Sequence, residues 1–192
     1  MRAKSKPMKD LVSTIRQDEN VAFEQAVADA LAAGGCAIHA ARLAKVCGKK
    51  LQSPEGGDLG DIDAIGIDPT RRVIFVAEAK DFELARIPRE LAHEAESLLQ
   101  GDKSALQKLS ARMLWVKRHL ATVLRHFHIE VGDSGWTVLP LIAPSRNLVT
   151  PTFISSAVPV LPISEVEGFV AAKLLRTKPP RRVKPPRTGR RN

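Results

Sequence analysis

Three charged residues, Asp63, Glu78 and Lys80, have a spacing that suits metal-dependent hydrolysis. Glu78 and Lys80 are separated by one residue, so on a β-strand their side chains point to the same face. Two opposed carboxylates repel one another unless a cation lies between them. Mg²⁺ prefers oxygen ligands and takes one or two carboxylates, which leaves positions for water and phosphate oxygens. The three residues therefore predict a Mg²⁺ site, which Mn²⁺ can also occupy, where Lys80 orients or deprotonates an attacking water.

A β-hairpin is the element that brings Asp63 to the other two residues. Residues 62–67 and 73–79 are apolar on both faces, which is typical of buried central strands, and turn residues lie between them. A register that closes a four-residue loop after Asp68 places Asp63 directly opposite Glu78. Directly opposed Cβ atoms lie about 4.5–5.5 Å apart. The hairpin thus predicts a carboxylate pair with Lys80 beside it.

This pattern resembles the PD-(D/E)XK, or restriction-endonuclease-like, nuclease superfamily, whose core has an acidic residue, a hairpin spacer and Glu-x-Lys. Here Asp63 is followed, after fourteen residues, by Glu78-Ala79-Lys80. The local forms Gly-Asp-Ile-Asp and Val-Ala-Glu-Ala-Lys are similar to those of resolvase-like and nuclease-related members. The resemblance implies an α/β fold with a central mixed sheet flanked by helices, in the order α-β-β-β-α-β.

The same resemblance implies the activity and the roles of the hairpin residues. It implies hydrolysis of phosphodiester bonds by an in-line water with one or two metal ions, on DNA or alternatively RNA. The implied metal ligands are Asp63, Glu78 and the backbone carbonyl of Ala79, with Asp61 as a weaker candidate. Lys80 is implied to assist the water.

Two other interpretations remain open at this point. Asp61 and Asp63 also fit turn or strand-start residues, and Glu78 and Lys80 fit charged residues that end a hydrophobic strand. The apolar sequence on both strand faces argues against this, because unpaired acids near a buried layer are costly. The alternative function is a non-catalytic nuclease-fold module that binds nucleic acid or serves as a scaffold.

The sequence before the hairpin predicts one helix and leaves the next element undecided. Residues 21–33 carry apolar positions at helical spacing and end at Gly34-Gly35, which is a helix-termination signal. Glu24 flanks this stripe, and the resemblance implies an auxiliary metal or water contact for it. Residues 36–47 fit either a strand or a continuing helix, although the two glycines favour a break.

The sequence after the hairpin predicts a long helical stretch that begins at Pro88. Its core-facing stripe consists of apolar residues three or four positions apart: Leu106, Leu109, Met113, Val116, Leu120, Val123 and Phe127. Residues 136–143 and 157–163 are predicted as later strands at an edge or with bulges, because each contains proline. A final helix is predicted over 166–175.

Basic residues predict contacts with nucleic acid. Lys108, Arg112 and Trp115 share one side of the long helix, so Arg112 and Lys108 are candidates for phosphate contacts. A solvated helix face is the simpler explanation of this group.

The net charge of +9 is concentrated at the two ends of the chain. Residues 1–9 form a basic extension, residues 10–175 the nuclease-like domain, and residues 176–192 a basic, proline-rich tail that is predicted to be disordered. Within the tail, Arg181, Arg182 and Lys184 are candidates for sequence-independent phosphate contacts. A solubilising terminal extension is the alternative.

Composition excludes several other classes. No apolar run reaches the roughly 18 residues that span a bilayer, and the basic N-terminus lacks an apolar signal core, so a cytoplasmic protein without membrane contact is predicted. Cys36 and Cys47 lack the ligand cluster of a zinc site and are expected to be reduced thiols. Cutting both strands requires a second active site, which a homodimer would supply, or two successive nicks; a larger nuclease or helicase assembly is another candidate partner.

Overall fold

A computed structural model of the chain describes residues 5–82, 85–101, 103–130, 132 and 135–177. The tail candidates Arg181, Arg182 and Lys184 lie outside the described residues, as does the start of the basic N-terminal extension.

The strands form one mixed four-stranded sheet and one small two-stranded ladder. In chain order they are β1 (Ile38–Leu43), β2 (Lys45–Val46), β3 (Lys49–Lys50), β4 (Ile62–Asp68), β5 (Val73–Lys80) and β6 (Thr137–Pro144). The large sheet has the order β1-β4-β5-β6, in which β1, β4 and β5 are antiparallel and β6 runs parallel to β5. The ambiguous region after Gly34-Gly35 is therefore a strand rather than a continuing helix.

Helices cover both faces of this sheet. They are α1 (Lys6–Ala33), α2 (Pro88–Ala95), α3 (Ala105–Arg118), α4 (Leu120–His126), α5 (Thr150–Phe153) and α6 (Ile163–Arg176), with a π-helical turn at Glu96–Gln100. The fold is thus of the α/β class, with a mixed sheet flanked by helices. No helix within the described ranges is long and apolar enough to cross a membrane.

The hairpin register predicted from the sequence is confirmed. Asp68 pairs with Val73, and the ladder continues to Ala64 opposite Ala77. The Asp68 carboxylate accepts hydrogen bonds from the backbone N–H groups of Thr70 and Arg71 at 2.8 and 3.1 Å, and it pairs with the Arg71 guanidinium. The loop is therefore held by its own first residue, which fixes the positions of both strands.

Helices α1 and α6 pack on one face of the sheet. Val27 and Leu31 of α1 lie in a buried cluster with Phe75 of β5 and Val170 of α6. Gly66 allows α1 to approach closely, because a Cβ there would lie 2.9 Å from Cys36 Sγ and 3.0 Å from Leu31 Cβ. Helix α1 is longer than predicted and begins at Lys6, whereas α6 agrees closely with its prediction.

Helix α3 packs on the opposite face, and the predicted apolar stripe is confirmed. Leu109, Val116 and Val123 are fully buried in the cluster that contains Ile65 and Val76. The remaining stripe residues, Leu106, Met113, Leu120 and Phe127, are half-buried against it.

The stretch that begins at Pro88 is largely helical, as predicted, but it is not one continuous helix. Gly101 has extended backbone angles, and Ser104 begins α3 by accepting a hydrogen bond from the Gln107 N–H. A further break separates α3 from α4 at His119. Apolar periodicity was preserved across these breaks, so it did not reveal them.

The prediction of a strand over 157–163 is also wrong. Only Val160 forms a β-bridge, to Ile142 of β6, and the backbone then enters α6. Pro159 and Pro162 lack the N–H groups that a continuous ladder needs. Strand β6 lies at the edge of the sheet, which agrees with the edge position predicted from Pro140.

Candidate active site

The open end of the β4–β5 hairpin brings two carboxylates together. Beyond the Ala64–Ala77 pair, the next residues outward are Asp63 and Glu78. They share a sheet face with Ile65 and Val76, which is the face that α3 covers. The Asp63 side chain is 13% exposed and that of Glu78 only 3%. Two acids therefore lie side by side where water has little access.

Arg112 of α3 lies between the two acids. Its Nη1 donates to Asp63 Oδ1 at 3.0 Å and also forms a very short contact with Glu78 Oε2. Its Nε donates to the carbonyl of Leu59 at 3.2 Å. Arg112 is 8% exposed and Trp115 9%, so the alternative of a solvated helix face is wrong for these two residues, whereas Lys108 is exposed. The guanidinium acts as an internal counter-ion because an unpaired pair of buried carboxylates would be costly.

The electrostatics show that this compensation is incomplete. The pKa of Glu78 is raised to about 7, first by burial and then by the negative charge of Asp63, while Arg112 and Lys80 oppose the increase. Burial likewise raises the pKa of Asp63, against the lowering effect of Arg112 and of the Ala79 N–H. Near neutral pH, additional positive charge at this site would therefore stabilise the ionised carboxylates.

Lys80 extends from the same face as Glu78, two residues further along β5. Its ammonium group lowers the pKa of both carboxyl groups, and that of Lys108 on α3 does so more weakly. Lys80 is half-buried and Lys108 is exposed. The predicted grouping of Lys80 with the two acids is thus present, and Lys108 lies near enough to contribute to the field.

The Ala79 backbone has a contact that the sequence did not predict. Its N–H donates to Asp63 Oδ2 at 2.9 Å and so ties the carboxylate to the neighbouring strand. Its side chain faces the α1 side of the sheet, as period two requires.

Glu24 approaches the acids from α1. Its pKa is raised by burial first and then by the charges of Asp63 and Asp61, while Arg42 lowers it. Arg42 Nε lies 3.4 Å from Glu24 Oε2. Glu24, the predicted auxiliary acid, therefore lies within electrostatic range of Asp63, and Asp61, the weaker metal-ligand candidate, lies within range of Glu24.

The donor set fits a hard divalent cation. Within the part of the chain that the structure describes, no group of three or more His, Cys, Asp or Glu side chains is arranged to hold a metal ion. Mg²⁺, however, commonly binds through one or two protein carboxylates and keeps several waters. Asp63 and Glu78 both reach one positively charged nitrogen of Arg112, so their oxygens converge on a single cation position.

Sequence reasoning found the acids but missed the role of Arg112. Arg112 lies three residues after Leu109 and four before Val116, inside the apolar stripe rather than beside it. A charged residue at such a position indicates a buried ion pair, because burial of a lone guanidinium is too costly. That signal was available, although the partner residues were not.

Comparisons of the chain with protein-family models, curated proteins and solved structures return no match. The function must therefore be argued from the site itself.

Proposed function

We propose that the protein is a Mg²⁺-dependent nuclease that hydrolyses phosphodiester bonds of DNA and has a restriction-endonuclease-like core. The observation that carries the proposal is the buried pair Asp63 and Glu78, which converge on one cation position beside Lys80. The order of the elements in and around the large sheet supports it: α1, the three antiparallel strands β1, β4 and β5, helices, and then a strand parallel to β5.

In this proposal Asp63 and Glu78 would hold the metal ion at the position that Arg112 Nη1 occupies between them, with the Ala79 carbonyl as a further oxygen ligand. When bound, Mg²⁺ polarises a phosphoryl oxygen and lowers the pKa of a coordinated water. Lys80 orients the attacking water, and its positive charge offsets the negative charge that develops on the phosphorus oxygens. Glu24 serves as an auxiliary acid near the same position. The water oxygen forms a bond to phosphorus as the bond to the leaving oxygen breaks; the water releases one proton to solvent, and the leaving oxygen takes one up.

Cleavage assays on plasmid and single-stranded DNA test the proposal. Purified protein is compared in Mg²⁺, Mn²⁺ and EDTA, with Lys80→Ala and Glu78→Gln as site variants. Lys117→Ala, an exposed lysine on α3, is the matched control. We expect metal-dependent cutting that falls about 10²- to 10⁴-fold in Lys80→Ala and is unchanged in Lys117→Ala. Full activity of the Lys80→Ala variant would refute the assignment.

Arg112 favours a second candidate function. Its guanidinium already bridges both acids, so the fold compensates part of their charge without a metal ion. A non-catalytic module that binds nucleic acid needs no more than this. Binding of DNA that is the same in Mg²⁺ and EDTA, together with no cleavage of DNA or RNA, would support this candidate over the nuclease.

A further inference from the structure

A cleft of about 1300 Å³ opens beside Lys80 and continues away from the two acids. Its walls come from residues 80–82 and 86–87, from α2 with the π-helical turn after it, and from Arg146 after β6. Lys80 is the residue that the cleft shares with the candidate active site. A substrate that lies in the cleft therefore passes directly beside the lysine.

Three guanidinium groups in the cleft are exposed and lack an acidic partner among the described residues. Arg86, Arg89 and Arg146 line it, and none of them forms an ion pair with any residue that the structure describes. Guanidinium groups bind phosphate oxygens in a bidentate geometry. These three side chains thus present positive charge to whatever enters.

Three of the acids that line the cleft are already engaged with donors of the protein. Asp81 accepts a hydrogen bond from the Ser145 hydroxyl. Glu90 accepts one from the Arg86 backbone N–H at 2.7 Å, and Glu94 accepts one from the Thr150 N–H at 3.0 Å. Glu96 is the remaining lining acid. The acids keep their negative charge, but one oxygen of each of these three is turned towards a protein donor, so the attraction for phosphate comes from the three guanidinium groups themselves.

Apolar surface lies among these arginines. Phe82 is half-buried and lines the cleft, and Ile87 beside it is 53% exposed. Sites for single-stranded nucleic acid combine positive charge along the backbone with aromatic faces on which bases stack. A duplex keeps its bases paired and stacked, so it offers no unstacked base to Phe82.

We infer that this cleft binds a single-stranded nucleic-acid segment, with its phosphates on Arg86, Arg89 and Arg146 and a base against Phe82. The inference rests on the proposed function for the reaction at Lys80, and it adds the form of the substrate and its path. The strand reaches the carboxylate pair from the α2 side of the sheet.

Fluorescence anisotropy in EDTA tests binding without catalysis. The probes are a labelled oligothymidine of about 16 nucleotides and a duplex of the same length. The cleft variant combines Arg86→Gln, Arg89→Gln and Arg146→Gln. The control combines Arg16→Gln, Arg118→Gln and Arg125→Gln, which removes the same charge from exposed positions outside the cleft.

We expect the cleft variant to bind the oligothymidine at least about tenfold more weakly, with a salt dependence of log K reduced by about 2. The control should stay within about twofold of the wild type, since charge that does not touch the strand acts only at long range. Equal weakening by the two triple variants, or no weakening by either, would overturn the inference. Circular dichroism melts confirm that each variant is folded.

A second variant tests the single-stranded form. Phe82→Leu keeps apolar volume against the core and removes the ring face, so the fold should be retained. We expect oligothymidine affinity to fall about tenfold while duplex affinity is unchanged. An equal loss on the duplex would overturn the single-strand assignment.

The binding and cleavage results separate the two proposals. If the wild type fails to cleave but binding depends on the cleft, the nuclease proposal fails and the binding site stands. If the wild type cleaves DNA while the cleft variant binds as tightly as the control, the cleft proposal alone is overturned.

Discussion

The two ends of the β4–β5 hairpin both carry buried carboxylates, but the donors that compensate the negative charge differ between the ends. At the closed end, Asp68 receives two backbone N–H donors and a guanidinium, all from the next three residues. At the open end, Asp63 and Glu78 share Arg112, which is 49 and 34 residues away in the chain. A carboxylate whose donors are close in the chain stabilises a turn, whereas two carboxylates that share one cation from a distant helix form a candidate metal site.

Burial alone does not distinguish the two ends. Asp68 is 4% exposed and Glu78 2%. The difference lies in the number of donors for each negative charge, and it is visible in Glu78, whose pKa is raised to about 7. Three predictions test this contrast, from the largest expected effect to the smallest.

Removal of the shared cation should have the largest effect. Arg112→Met keeps much of the side-chain volume but leaves two buried acids without their partner, so we expect the free energy of unfolding to fall by about 3–5 kcal/mol. Chemical denaturation in EDTA at pH 8 measures it. Mg²⁺ or Mn²⁺ should then stabilise Arg112→Met more than the wild type, because the cation position is vacated.

A matched variant controls for packing at this position. Adding Asp63→Asn and Glu78→Gln to Arg112→Met removes the charges that need compensation, so most of the lost stability should return. A cost below about 1 kcal/mol for Arg112→Met alone would show that the guanidinium is not the principal counter-ion of the pair.

The pH dependence of stability should reveal the raised pKa of Glu78 at the open end. Because the pKa of Glu78 rises from its usual 4.5 to about 7 on folding, the native state binds more protons than the unfolded state between these values. Stability should therefore decrease as pH rises through this window, by on the order of 3 kcal/mol.

Denaturant titrations of metal-free protein at pH 5 and pH 8 measure this change. Asp63, whose pKa is also raised, contributes in the same direction. The Glu78→Gln variant should lose most of the pH dependence. A wild type that is more stable at pH 8 than at pH 5, or a Glu78→Gln variant with an unchanged dependence, would contradict the prediction.

The closed end should show the smallest effect, and on stability alone. Asp68→Ala removes the acceptor of two backbone N–H groups and of the Arg71 pair, so we expect a loss of about 1–2 kcal/mol in unfolding free energy. Metal-dependent cleavage by the folded protein should be unchanged. A large loss of cleavage at a temperature where this variant is folded would show that the two ends are not independent.

The parts of the fold that the sequence predicted well are those encoded locally. The register between Asp68 and Val73 follows from two apolar runs around a turn, and a shift by one residue would have moved every core side chain to the wrong face. The stripe on α3 follows in the same way from helical spacing. Both predictions depended on residues close to one another in the chain.

The parts that failed depend on contacts or breaks that periodicity does not record. Periodicity identified the buried face between Pro88 and Phe127, but Gly101 and Ser104 interrupt the helix without disturbing that face. The partners of Arg112 lie on two strands far away in the chain, so its burial followed from tertiary packing. The extension of α1 back to Lys6 adds exposed turns that carry no core stripe.

Strand β6 has a consequence for self-association that follows from its prolines. In a strand, the backbone N–H and C=O groups of every second residue point to the same side. Those of Ile142 point away from β5: its N–H donates to the Pro159 carbonyl, and its C=O accepts from the Leu161 N–H. Pro140 and Pro144 lie two residues before and two after Ile142, so they face the same outer side, and proline has no backbone N–H to donate there. A second chain therefore finds almost no donors for strand addition along this border, which protects the sheet from open-ended polymer growth.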